Sequence, residues 1–300
     1  MFQHLVVPLD GSPMAEEALP VAAGLAARAH ATVTLLHVVE RRPPKAVHGQ
    51  PHLRQADQAE TYLAAAAARA FPPGVRVACH VHREAAGDVA RSLVGHVEEL
   101  RPDLIVMSAH GPVRLRDRLS GNLAQQVMTS GLVPVLLLRP GPDGAVRFPF
   151  RNFLVPLDGQ AEHEGSLTPA GELAAILQAA AVLLTVVPTR HSLVRRGQVV
   201  ADMLPGASRE MLAISTGAAA EYLERHVTAL AGQGLQASGR VLHGDPAREI
   251  LQAADQADSD LIVLSTHGKA GTNAFWSGSI GPRLLRRAKV SFLLVPARPA

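Results

Sequence analysis

Two short stretches of this sequence carry residues suited to holding an anion. In one, Ser265-Thr266-His267-Gly268 is followed after nine residues by Gly278-Ser279; in the other, Ser108-Ala109-His110-Gly111 is followed after nine by Gly121-Asn122. Glycine lets backbone N–H groups come close to a ligand, and Ser279 or Asn122 can cap a following helix. Each loop comes after an apolar run, Asp260–Leu264 or Asp103–Met107, and the later one leads into a helical pattern over Ile280–Ala288. A strand, a glycine-bearing loop and a helix N-terminus together favour a phosphate, because unpaired N–H groups and the helix dipole both face it.

The elements that must present these loops are also repeated. The first unit opens with a buried strand, His4–Pro8, that ends in Leu9-Asp10-Gly11-Ser12, and Pro13 is well placed to start a helix. Thr32–Val39 reads as a second strand, Leu53–Ala70 as a helix and Val75–Val81 as a third strand. Gly87-Asp88 opens a helix over Val89–Leu100; Asp103–Met107, a helix around Ala124–Ser130 and a fifth strand over Val133–Leu138 close the unit. Phe153–Gly159 then repeats Leu5–Gly11 at an offset of 148, while Gly244-Asp245 and Asp260–Val263 repeat Gly87-Asp88 and Asp103–Val106 at 157. The extra residues fall in an excursion, Pro188–Ser208, ahead of a helix over Arg209–Ala231. Near-continuous apolar strands alternating with helices mean an α/β fold with a parallel sheet covered on both faces. The reading is two tandem domains, residues 1–141 and 151–300, joined by a turn-rich linker over 142–150.

Composition narrows the function. With 29 basic against 26 acidic residues and no long Lys/Arg block, a nucleic-acid partner is not expected. No apolar stretch is long enough to span a bilayer, Met1 leads straight into a strand, and Cys79 is the lone cysteine, so a cytoplasmic protein without leader or membrane partner is expected. The P-loop pattern is absent around Lys269, as are a nucleophile elbow and a His-x-Gly-His signature, which argues against an enzyme.

The strand ending Val-Pro-Leu-Asp-Gly, the apolar second strand, the Gly-Asp and the His-Gly loop with its second glycine occur in the same order in each unit. In this the chain resembles the universal stress protein family in tandem form. The resemblance implies a Rossmann-like domain of five parallel strands in the order 3-2-1-4-5. It also implies a branch that binds ATP, with Mg2+ left open, through Gly, two residues, Gly, nine residues, Gly-Ser/Thr. A second branch keeps the fold as an interaction module without nucleotide. By that resemblance Asp158 and Gly159 lie at the adenosine end, Pro156 and Leu157 wall the base, and Val186 or Val187 closes the slot. Ser265, His267, Gly268, Gly278, Ser279 and Ile280 complete the second site. Pro8, Leu9, Asp10, Gly11, Val38, Ser108, Gly111, Gly121 and Asn122 are their counterparts in the first. The ligand is expected to be structural or signalling, with slow hydrolysis at most.

This sequence departs from the family pattern at identifiable positions. Serine replaces the first motif glycine in both units, at Ser108 and Ser265. Pro112, which has no N–H, and Asn122 stand only in the first unit, so the second ranks as the better phosphate site. The resemblance further implies that the two domains pair through their fifth strands, Val133–Leu138 and Val290–Val295, with a homodimer left open. His80 and His82 share a strand face without a recognisable third ligand, so they read as an exposed strand face and no metal site is expected.

Overall fold

The structure, a computed structural model, describes residues 2–42, 46–47, 50–51, 53–108, 127, 133–141, 145–189, 205–266 and 280–297. The first unit runs β1 (His4–Pro8), α1 (Pro13–Glu16), α2 (Ala18–Ala29), β2 (Thr32–Glu40), a small hairpin of β3 (Ala46–Val47) and β4 (Gln50–Pro51), then α3 (Ala56–Ala70). It continues through β5 (Arg76–Ala86), α4 (Val89–Leu100), β6 (Leu104–Ser108) and β7 (Val135–Leu138). The second unit follows as β8 (Asn152–Pro156), a 3-10 turn (Ala161–Ser166), α5 (Leu167–Leu177), β9 (Ala180–Val187), α6 (Pro205–Gly232) and β10 (Ala237–His243). It ends with α7 (Pro246–Gln256), β11 (Leu261–Thr266), α8 (Ile280–Arg287) and β12 (Ser291–Pro296).

All strands but the hairpin form one ten-stranded sheet in the order β10-β9-β8-β11-β12-β7-β6-β1-β2-β5. Each half is therefore 3-2-1-4-5 and parallel within itself. Alternate residues feed two cores: Leu5, Val7, Leu104 and Val106 face one way, while Val6, Ile105 and Met107 face the other, all of them buried. Helices cover both faces, which is why these strands read as unbroken apolar runs.

Local signals set the register and the helix starts. Ser12 Oγ accepts from Ala15 N at 3.2 Å, with Pro13 at the first helical position. The two Gly-Asp motifs resolve into helix caps: Asp88 accepts from Arg91 N at 3.1 Å and Asp245 from Arg248 N at 3.0 Å. A second acidic pair pins strand four to strand one. Asp103 Oδ2 accepts from Gln3 N and His4 N at 2.8 and 2.9 Å, and Asp260 repeats this with Arg151 N and Asn152 N at 2.6 and 3.0 Å. Removing the Asp103 carboxylate should strand two N–H groups at the start of a buried strand. Asp103→Ala is expected to cost about 2 kcal/mol in urea unfolding.

The two halves meet strand to strand. β7 and β12 pair antiparallel, with Leu137 opposite Phe292, Leu136 opposite Leu293 and Val135 opposite Leu294. Arg139 reinforces the joint: its guanidinium lies 5.9 Å from the Phe292 ring centroid and donates to the Leu285 carbonyl. The two fifth strands expected to pair do so within this one chain.

Three differences from the sequence reading are local. β5 extends to Ala86, because its ladder with β2 continues past an irregularity between Val38 and Glu40. α3 begins at Ala56 rather than Leu53, and α6 starts at Pro205, where proline's fixed φ and missing N–H suit a first helical position. The helix expected at Ala124–Ser130 lies outside the described residues apart from Val127, as does most of the Pro188–Ser208 excursion.

Candidate functional site

At the carboxyl ends of β1, β2 and β6 the first unit holds an open crevice. It occupies about 620 Å³ measured to its mouth and is lined by Pro8, Leu9 and Asp10, by Leu36 to Val38 with Glu40, by Val89 and Leu93 of α4, and by Ala15, Met107 and Ser108. The position follows from the sheet: β1 sits between β2 and β6, where the connections diverge, so helices leave the strand ends uncovered.

Each wall has a local cause. The chain leaves β1 through Asp10, whose Oδ1 accepts from Ser12 N at 2.9 Å, and turns at Gly11 with φ +87°. Only glycine takes that conformation cheaply, and Gly159 repeats it at +80°. His37 is buried and its Nδ1–H donates to the Leu9 carbonyl at 2.7 Å, tying β2 to the turn. At the end of β6, Ser108 Oγ donates to Glu17 Oε2 at 2.9 Å. The serine that replaces the first loop glycine is thus anchored to α1's C-terminal side.

The second unit uses different residues at the same places. Asp158 occupies the position of Asp10, but opposite it stands His163 where the first unit has Ala15. Asp158 Oδ2 accepts from His163 Nδ1 at 2.6 Å and Oδ1 from Gln160 N at 3.1 Å. Burial alone would push this carboxyl up. The hydrogen bonds from His163 and Gln160, with the charge of His163, outweigh it and hold the group below the usual carboxylate range. Gly165 stands in place of Glu17, and the Ser265 Oγ is buried with no partner among the described residues. The neighbouring Thr266 hydroxyl donates to the Val295 carbonyl at 3.3 Å.

Of the first-unit residues singled out from sequence, Pro8, Leu9, Asp10, Val38 and Ser108 come together around one crevice, with Gly11 in the adjoining turn. In the second unit, Pro156, Leu157, Asp158 and Gly159 end β8 and form its turn, Val186 and Val187 end β9, Ser265 is the penultimate residue of β11 and Ile280 begins α8. His110, Gly111, Gly121, Asn122, His267, Gly268, Gly278 and Ser279 lie outside the described residues. Arg283 of α8 is bidentate to Asp245, the residue that caps α7, at 2.7 and 3.0 Å.

Sequence reasoning missed Glu17, His163 and a duplicated tyrosine. Tyr62 and Tyr222 each bury a hydroxyl, and burial first, then the charge of Glu16 or Glu164, raises both well above the ordinary phenol value. The offset of 148 aligns Glu16 with Glu164, but each tyrosine comes from a helix of different length and sits out of step.

Residues 1–139 and 149–296 each match the universal stress protein family. A universal stress protein of Methanocaldococcus jannaschii is 36% identical over 62 residues, which span 21% of this chain and 36% of that protein. Universal stress protein A homolog 1 of Coxiella burnetii is 28% identical over 138 residues, 45% of this chain and 94% of that one. In fold, a universal stress protein from Archaeoglobus fulgidus superposes on 99% of this chain and 97% of its own, with a TM-score of 0.68 at 15% identity. With both halves matched and the strand order repeated in each, the chain belongs to the universal stress protein family.

Proposed function

We propose that the protein is a stress-response protein that binds an adenine nucleotide, ATP with or without Mg2+, and holds it rather than turning it over. The observation that carries this reading is the crevice itself. Five residues assigned to a nucleotide site by their place in the repeated motif line one cleft at the point where the strand order reverses. Leu36, Val38, Leu93 and Met107 offer an apolar slot for a base, and the Asp10 carboxylate stands beside it for a ribose hydroxyl. The phosphates would extend toward the loop that follows β6. Hydrolysis, if measured, is expected to be slow: His37, the one lining histidine among the described residues, is held by the Leu9 carbonyl through its Nδ1. The exposed thiol of Cys79 suits a reducing compartment, and the cytoplasm is the proposed location. No described helix is long and apolar enough to cross a membrane.

The test is direct. Purified protein is denatured, any released nucleotide is identified by chromatography, and the emptied protein is titrated with ATP by calorimetry. Saturable binding that Asp10→Ala weakens supports the reading. Absence of both released nucleotide and saturable ATP binding would sink it, and would leave an interaction module with empty crevices.

A further inference from the structure

Away from the crevice, three imidazoles meet between the outer edge strand of the first unit and the helix behind it. His80 and His82 lie two apart on β5, and His96 of α4 reaches both. His96 Nε2 and His82 Nδ1 are 2.9 Å apart, and the His96 ring centroid is 4.6 Å from that of His80 and 5.0 Å from that of His82. The other nitrogen of His96, Nδ1, donates to Glu99 Oε2 at 3.1 Å. The His96 side chain is only 11% exposed. From sequence, His80 and His82 read as an exposed pair lacking a third ligand. In the structure both are half-buried, and His96 of α4 lies beside them.

The fold does not require these histidines. Leu36 and Val38 of β2 pair with His80 and His82, while their counterparts Leu184 and Val186 pair with Arg240 and Leu242. The position of His96 is Ala253 in the second unit. The same strand and the same helix are therefore built with an arginine, a leucine and an alanine. Three imidazoles brought together on one side only, at the cost of burying them, call for a separate explanation.

We propose that His82 Nδ1, His96 Nε2 and a ring nitrogen of His80 form a binding site for a divalent transition ion of the Zn2+ type, with Glu99 orienting His96. Imidazole is a preferred ligand for such ions. A histidine ligand ordinarily donates its second ring N–H to a carboxylate, which fixes its tautomer and orientation; Glu99 stands in that relation to His96. As the rings stand, no three donors among the described residues surround one point. The His82–His96 hydrogen bond closes the site. With Glu99 accepting from His96 Nδ1–H, His96 Nε2 accepts the proton on His82 Nδ1. A cation replaces that bond when His82 carries its proton on Nε2 instead, so neither neutral ring changes its charge. The two nitrogens then part from 2.9 Å to the roughly 3.3 Å that two ligands subtend in a tetrahedral Zn2+ site. Bound there, the ion would tie the sheet edge to α4, whose Val89 and Leu93 wall the crevice.

The experiment uses the full chain stripped with a chelator, with Zn2+ as the binding probe and Co2+ as the spectroscopic one. One equivalent of Zn2+ should bind saturably at pH 7.5, and Co2+ should give the visible absorption bands of a nitrogen-ligated, four-coordinate ion. His96→Ala and His82→Leu install the residues of the second unit, so folding should survive, checked by circular dichroism. Each should abolish the Co2+ bands. Glu99→Gln should keep the bands and weaken Zn2+ binding about 10- to 100-fold. The absence of saturable Zn2+ binding in the unaltered protein would overturn the proposal, and so would Co2+ bands that persist in folded His96→Ala. None of these outcomes depends on whether ATP binds.

Discussion

Replacing Phe292 with alanine should cost about 3–5 kcal/mol, the largest loss expected from any single truncation at the joint between the halves. Phe292 is fully buried in β12, opposite Leu137 of β7, and it belongs to the core that also contains Val135, Leu284 and Leu285. The ring also lies under the Arg139 guanidinium. Burial holds the Arg139 guanidinium below its ordinary value, so it is poorly hydrated and depends on the groups around it. Truncation would open a cavity shared by both units and remove the cation's aromatic neighbour at once. A domain is stable by only about 5–15 kcal/mol in total, so the loss is large on that scale. Urea unfolding should show a lower midpoint with an unchanged slope. A shift worth less than about 1 kcal/mol would mean that the joint carries little of the packing free energy.

The second large effect concerns ligand access. The two ends of the proposed nucleotide site rank the units in opposite orders. At the phosphate end, the motif Gly278-Ser279 favours the second unit over Gly121-Asn122. At the nucleoside end, His163 already holds Asp158, whereas Ala15 leaves the equivalent side of Asp10 to a ligand. His163→Ala should therefore tighten ATP binding in the second unit about tenfold, by freeing one charge-assisted hydrogen bond worth roughly 1.5 kcal/mol. Ala15→His should weaken the first unit by a similar factor. Calorimetry with the opposite site blocked, by Gly121→Val or Gly278→Val, separates the two. Unchanged affinity in both variants would refute the role given to position 15 and its repeat.

The same pair fixes the sign of a pH effect. Asp158 is held below the usual carboxylate range, so the stability it adds is present at neutral pH and lost as pH falls through that depressed value. His163→Ala removes the His163 hydrogen bond and charge from that depression, so the acid-dependent loss contributed by Asp158 should be smaller than in the unaltered protein. Acid titration of the unfolding midpoint compares the size of the loss in the two proteins.

The fold was legible because duplication doubled every signal. Asp10-Gly11 and Asp158-Gly159 mark the same turn, Asp88 and Asp245 cap the same helix, and both strand-four runs begin with an aspartate that pins strand one. What spacing could not show were contacts between side chains on different elements. Glu17 reaching Ser108, Arg283 clasping Asp245 and His96 covering His80 and His82 each depend on how a helix is seated against a strand end or another helix. A helix's rotation is set by packing, and a period of 3.6 residues leaves several faces open to it. Position 15 was readable in principle, since aligning the repeats sets Ala15 against His163. The consequence came only from finding the histidine 2.6 Å from the carboxylate.

The pairing of β7 with β12 has a bearing on dilution. Two separate chains joined by such an edge would part as their concentration fell, and their unfolding temperature would follow mass action. Here both strands belong to one polypeptide, so the local concentration of each edge for the other is set by the linker and not by how much protein the cell makes. A further freedom comes with it. A dimer of identical chains must carry every substitution twice, but a fused pair can change one half alone. Ala15 against His163, and His96 against Ala253, are differences that only such an arrangement can keep.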